Sequence, residues 1–256
     1  MAGVERIGSG KGKKIKPQYI NKHNPKKVEL IIKGEHQCQW CNRIFSTEKT
    51  LFAHMCEQRR RFQQKDTIYC RYGLEAFLAI SKTLRKGDNL KEEDFRKSDF
   101  YLACVRWGHF VIDVHCLKPT QYLNWLLERN IQIDKWNKDE IYSCWIQEIV
   151  FLENEWDALD RSITTMSEWA EENNKNYNDY FREAGGARIL WDVSRALISG
   201  WVVYCSESGK KWLEQLEQRD LEIVWGVINP SRWAVRFEKM NEEKNEITKT
   251  CLEAGL

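Results

Sequence analysis

Proline is scarce, with four in 256 residues, and nothing in the composition is collagenous, disordered or disulfide-dense. No apolar run approaches the roughly 18–20 residues that a membrane span needs, so the chain reads as soluble. The first 27 residues are basic and have no apolar h-region, so no secretory signal is expected. Catalytic signatures are missing too. There is no phosphate-cradling Gly-x4-Gly-Lys, no nucleophile elbow, no dinucleotide fingerprint, and no His-x-Glu followed by a C-x2-C. Fixed-period repeats and low-complexity segments are also missing. Net charge is small, 40 Lys+Arg against 38 Asp+Glu, but it is unevenly spread.

Residues 1–65 carry 15 Lys/Arg and 5 Asp/Glu, a net +10, whereas residues 66–256 carry 25 and 33, a net −8. A basic head on an acidic body suits a nucleic-acid arm or an electrostatic docking tail; a solvated, solubilising tail is the plain alternative. The order along the chain is a flexible basic arm over 1–27, a small module over 28–65, and a Trp-rich acidic helical domain over 66–256. The arm contains Lys11, Lys13, Lys14 and Lys16 among its lysines and has little apolar surface to offset ordering entropy. Val28–Lys33 reads as a short strand.

The body reads as mainly α. Asp66 is the expected cap of a helix reaching about Lys86 and stopped by Gly87, and a second helix begins near 89–91. Another covers about 99–116. Pro119 suits the first turn of a helix to Arg129 that presents Tyr122, Trp125 and Leu126. Asn137 is the expected cap of a helix ending near Leu152. Trp156, Leu159, Ile163, Met166 and Trp169 follow at amphipathic spacing. A helix over about 178–198 is expected to end at Gly200, and Trp201–Cys205 fits either a strand or a buried helix. Short helices opened by Asp220 and Pro230 complete the chain. Most of the eleven body tryptophans are expected in the core, with Trp201 and Trp233 as candidate surface anchors.

The chemistry concentrates in HQCQWCNRIFSTEKTLFAHMCEQRRR. Cys38 and Cys41 form a knuckle, Phe45 stands three residues on, and Leu51 stands two residues before His54. This C-x2-C-x3-F-x5-L-x2-H pattern resembles a Cys2His2-type zinc finger over about a tenth of the chain. The resemblance implies a small ββα unit and a structural zinc ion, with Ser46 where the helix would be capped. The family's second His is not there, because Gln58, Arg59 and Arg60 occupy its positions. Cys56 is the preferred fourth ligand, although neighbours two apart on a continuous helix point about 200° apart, so the helix must end or distort at His54. Cys70, or a water in an open site, is the alternative. The candidate ligand set is therefore Cys38, Cys41, His54 and Cys56. The other six cysteines lie among apolar neighbours and read as buried thiols in a reducing cytosol.

With His54 as helix position 7, the family's base-reading positions fall on Thr47, Thr50 and Ala53, none of which makes a bidentate base contact. Candidate contacts are instead electrostatic: the arm lysines, Arg43, Lys49, and Arg59, Arg60 and Arg61. Trp40 could stack on a base or cover the metal, and covering is favoured. The partner is thus nucleic acid met through its backbone or unpaired bases, or an acidic protein partner. KTLFAHMCEQRRR, RWGHFVIDVHCLKPTQYLNWLL and GGARILWDVSRALISGWVVY also resemble uncharacterised single-finger proteins of large tailed bacteriophages, which implies a bacterial-cytoplasm setting and no known activity. In the body, His109, Asp113 and Cys116 share a helical face and could form a second site, but satisfied residues of a helix are favoured. Glu153, Asp157, Asp160 and Glu168 read as a solvated face. A helix-turn-helix drawn through Ala187–Tyr204 is rejected because its second helix lacks basic and amide residues.

Overall fold

Strand pairing among the described residues is confined to one antiparallel ladder, β1 (His36–Gln37) with β2 (Ile44–Phe45), where His36 faces Phe45 and Gln37 faces Ile44. Everything else regular is helical, so the protein is mainly α. A computed structural model describes residues 36–84 and 90–256. The basic arm, the strand expected at Val28–Lys33 and the helix stop at Gly87 lie outside them. The chain divides into two units, Met1–Asp66 and Thr67–Leu256.

In the first unit the strands are followed by α1 (Glu48–Ala53) and α2 (Glu57–Gln63). The cap of α1 is Thr47, one residue later than the expected Ser46, and its hydroxyl accepts the Thr50 N–H at 3.2 Å. Cys38 alone is buried among the described residues of this unit. So small a core cannot offset the entropy of ordering the segment by burial alone.

The second unit runs α3 (Ile68–Thr83), α4 (Glu92–Lys97), α5 (Tyr101–Asp113), α6 (Pro119–Glu128), α7 (Asp139–Ile149), α8 (Glu155–Asn173), α9 (Tyr180–Glu183), α10 (Gly186–Ser194), α11 (Gly200–Cys205), α12 (Glu207–Glu214), α13 (Gln218–Ile228), α14 (Pro230–Lys239) and α15 (Asn241–Glu253). Thr67, not Asp66, occupies the cap of α3. The chain turns into α6 through Lys118 in the left-handed region, φ 51°, with Pro119 fixing the first turn, and α6 buries Tyr122, Trp125 and Leu126 as its spacing predicts. No helix among the described residues is long and apolar enough to cross a membrane.

Several expected boundaries move. The helix predicted over about 178–198 breaks, because Ala184 and Gly185 are extended between α9 and α10, and Ala196 then turns left-handed at φ 58°. Gly200 opens α11 rather than ending a helix, and Trp201–Cys205 is a buried helix. Gly200 has to be glycine because a Cβ there would fall within the Trp233 ring. Trp201 and Trp233, expected as surface anchors, are 0% and 1% exposed; their rings meet edge to face at 5.5 Å. The exposed tryptophans are Trp156, Trp191 and Trp225. Glu153 is also corrected. It is buried, and its carboxylate is held by both terminal nitrogens of Arg161, whose Nε donates to the Ala196 carbonyl at 2.8 Å. A buried carboxylate needs such a partner, and Arg161 ties the start of α8 to the turn after α10.

Helices α3 and α5 approach at backbone distance. A Cβ at Gly108 would fall onto the Tyr69 carbonyl oxygen, and one at Gly73 would lie 3.2 Å from the Cys104 carbonyl. Gly108→Ala should therefore cost about 1–3 kcal/mol, read as a lower urea midpoint. Gly186→Ala, with nothing within 4 Å of its Cβ, should leave the midpoint unchanged or slightly raised.

Candidate metal centre

The turn between β1 and β2 presents the first two ligands. The Cys38 N–H donates to the Arg43 carbonyl at 2.9 Å, the Asn42 N–H donates back to the Cys38 carbonyl at 2.8 Å, and Asn42 takes the left-handed conformation at φ 58° that closes so tight a turn. Helix α1 presents the third. It stops at His54, whose N–H donates to the Leu51 carbonyl while its own backbone is extended, φ −73° and ψ 120°. Met55 continues outside helix, and Cys56, again extended, becomes the cap of α2. The break predicted as the condition for Cys56 to turn inward is therefore present.

The four side chains converge. Their ligand atoms all lie within 4.8 Å of one another, with Cys41 Sγ 3.3 Å from His54 Nε2 and Cys38 Sγ 3.9 Å from Cys56 Sγ. Tetrahedral zinc with bonds of about 2.3 Å to sulfur would separate two sulfurs by about 3.8 Å. The spacing fits a single ion, and three thiols with one imidazole form a donor set suited to a soft or borderline cation. Cys70, the alternative fourth ligand, lies in the other unit, buried on α3 with its sulfur 3.4 Å from the Tyr101 hydroxyl. The cluster could hold a metal. Three of its members are half-buried and Cys38 is buried, so the ion would stand in for the missing core.

The surroundings hold the ligands in place. Phe45 packs on the His54 ring at 4.6 Å, and Trp40 packs on Phe62 at 4.4 Å. Cys56 Sγ accepts the Arg59 N–H at 3.4 Å, while the Arg59 side chain donates to the His54 carbonyl at 2.9 Å. Burial pushes the Cys38 thiol up, but N–H donation from Cys41 and Trp40 outweighs it and leaves the thiol below its ordinary value. Burial raises Cys41 to about 11, so at neutral pH it carries a proton that an incoming ion must displace.

Other sequence candidates do not gather. His109 is exposed and stacks on Tyr69 at 3.9 Å, Asp113 is exposed, and burial pushes Cys116 up to about 12. Among the described residues no further group of three or more His, Cys, Asp or Glu could hold a metal. Arg60 and Arg61 both pair with Glu57, and Arg59 is turned to the backbone around His54. Arg43, above the Phe45 ring at 5.5 Å, and Lys49 are exposed; Lys11, Lys13, Lys14 and Lys16 lie outside the described residues. One surface residue was missed from the sequence. Phe52, 82% exposed, follows Lys49 by three positions, so the two neighbour each other on α1. The finger pattern accounts for Phe45 and Leu51 and says nothing of Phe52, but a phenylalanine off the core pattern was the available signal. Compared with known proteins, the chain matches no family model, no curated protein and no solved structure.

Cys56→Ser should lower bound metal per chain, measured by elemental analysis, whereas Cys70→Ser should keep it; full occupancy in Cys56→Ser would remove Cys56 from the set. Because loading releases thiol protons, apparent affinity should fall as the pH is lowered from about 8 to 6 in a competitive chelator titration.

Proposed function

We propose that this is a zinc-knit nucleic-acid-binding protein that meets phosphate backbone and unpaired bases without reading a base sequence. The observation that carries this reading is the outward pair on α1, a lysine and an exposed aromatic ring three residues apart. Proteins that bind single strands combine positive charge along the backbone with aromatic faces for the bases. The net +10 of residues 1–65 supplies the wider field.

Sequence reading is disfavoured by the hydroxyls at two of the three base-reading positions. Thr47 Oγ1 accepts the Thr50 N–H, and the Thr50 hydroxyl donates to the Thr47 carbonyl at 2.8 Å. Both are committed to capping α1, and Ala53 has nothing to donate. Arg59 serves the backbone at His54, so electrostatic contact on the finger falls chiefly to Arg43 and Lys49, with Arg60 exposed beside its Glu57 partner. Zinc is the ion that the Cys3His set and the finger resemblance favour. The resemblance to bacteriophage single-finger proteins is the support for a bacterial-cytoplasm setting.

A second reading, docking on an acidic protein, draws on Met55, which is 55% exposed in the linker between α1 and α2 and has no part in stacking. A partner retained from nuclease-treated lysate would favour it over nucleic acid.

For the primary reading, Phe52→Ala should weaken binding to a single-stranded oligonucleotide by about 1–3 kcal/mol with metal content unchanged. Lys49→Ala should reduce the slope of log affinity against log salt by about 0.7, and shuffling the base sequence should leave affinity nearly constant. Absence of binding at low salt overturns the reading.

A further inference from the structure

One face of the acidic body gathers basic side chains along a single helix. On α14, Arg232, Val235, Arg236 and Lys239 recur at helical spacing along one side, while Trp233 and Phe237 on the other side pack at 5.2 Å. The side carrying the cations opens on a groove of about 580 Å³ whose apolar wall comes from Phe151, Val235 and Met240. Several other arginines of this unit meet carboxylates: Arg129 with Glu148, Arg161 with Glu153, Arg188 with Asp192, Arg195 with Asp139. Arg232, Arg236 and Lys239 make no ion pair with a carboxylate among the described residues.

What holds the two arginines instead is backbone. Arg232 donates to the Gln147 carbonyl at 2.8 Å and sits 3.7 Å from the centre of the Phe151 ring. Arg236 donates to the Phe151 and Glu153 carbonyls, the latter at 2.6 Å. Neutral carbonyls fix the Arg232 guanidinium without cancelling its charge, whereas the carboxylates of Glu155 and Glu153 act on Arg236, so the free positive charge of the groove is that of Arg232 and Lys239. Two such cations, Arg232 and Lys239, on a unit whose sequence is net −7 select an anion, and the apolar wall selects one with flat or greasy parts between its charges.

We infer that this groove is a second nucleic-acid contact, taking a single strand with its phosphates on Arg232 and Lys239 and a base against Phe151, Val235 and Met240. A guanidinium stacked on an aromatic ring offers its outer face to a base, and a basic groove with apolar contacts tolerates any sequence. This inference deepens the reading above and rests on it for the class of ligand. With two contacts on one chain, a long strand that engages both gains affinity through effective concentration that a short one does not.

The test uses the full chain, a fluorescent oligothymidylate and fluorescence anisotropy. Val235 and Lys239 are exposed and bond to nothing in the core, so Val235→Asp with Lys239→Glu should leave the circular dichroism and melting profile intact. Affinity should fall about tenfold and the salt slope by about 0.7 or more, while Lys239→Arg should bind as the parent protein does. Unchanged affinity and slope in the double variant would overturn the inference and leave the finger reading standing. A loss in the groove variant, with no loss in Phe52→Ala and Lys49→Ala, would do the reverse. A parent protein that binds no oligothymidylate at low salt removes both. Binding of a glutamate-rich amphipathic peptide that the double variant abolishes, with oligothymidylate affinity unchanged, would assign the groove to protein and overturn the inference.

Discussion

Four ligand atoms can surround one ion only if the chain brings them from different directions, and the N-terminal unit meets that demand by ending α1 at His54. With the helix continued, Cys56 would point away from the imidazole. With it broken, Cys56 returns to within 4.8 Å of the other three and begins α2 in the same step. One residue is thus both a candidate ligand and a helix cap, and Arg59 closes the arrangement through its N–H on the Cys56 sulfur and its side chain on the His54 carbonyl. Since Cys38 alone is buried among the described residues of this unit, the geometry of the cluster matters more here than apolar burial does.

The helical unit solves the opposite problem. It has abundant aromatic surface and must place the polar edges of its tryptophans. Trp233 donates to the Val227 carbonyl at 2.6 Å, Trp145 to Leu117 at 3.0 Å and Trp136 to Ile131 at 2.8 Å, so these three indole N–H groups satisfy carbonyls at helix ends and turns, while the buried N–H groups of Trp107 and Trp201 meet no acceptor among the described residues. Arg232 likewise donates to a carbonyl from α14 onto the last turn of α7, and Arg236 onto the chain between α7 and α8. The charge of Arg232 is thereby left without a carboxylate partner among the described residues, whereas Glu155 and Glu153 act on Arg236.

Some of this was legible in the chain. The knuckle spacing located the cluster, and the distance from His54 to Cys56 dictated that the helix must break between them. Pro119 marked the start of α6, and the spacing from Trp156 to Trp169 marked α8, whose buried face takes Leu159, Met166 and Trp169 but leaves Trp156 exposed. Other features were not legible for physical reasons. Asp66, Asn137 and Ser46 are good cap residues, but capping goes to whichever neighbour the tertiary structure leaves extended, here Thr47, Thr67 and Lys138. The break at Ala184–Gly185 falls at two consecutive glycines, Gly185 and Gly186, a local signal against one continuous helix over 178–198. Trp201 and Trp233 looked like anchors because tryptophan suits surfaces as well as cores; the close approach of Gly200 decided for the core.

The sequence by itself determined the mainly helical class, the uneven charge of head and body, and a set of thiols and imidazole at metal-binding spacing, because these depend on composition and on separations of a few residues. Only the tertiary structure decided that Cys56 rather than Cys70 joins the cluster, that Glu153 is buried against Arg161, and that Arg232 of α14 meets a backbone carbonyl rather than a carboxylate. Each of those depends on which distant segments meet. A sequence states a side chain's charge, but the fold chooses its counter-charge.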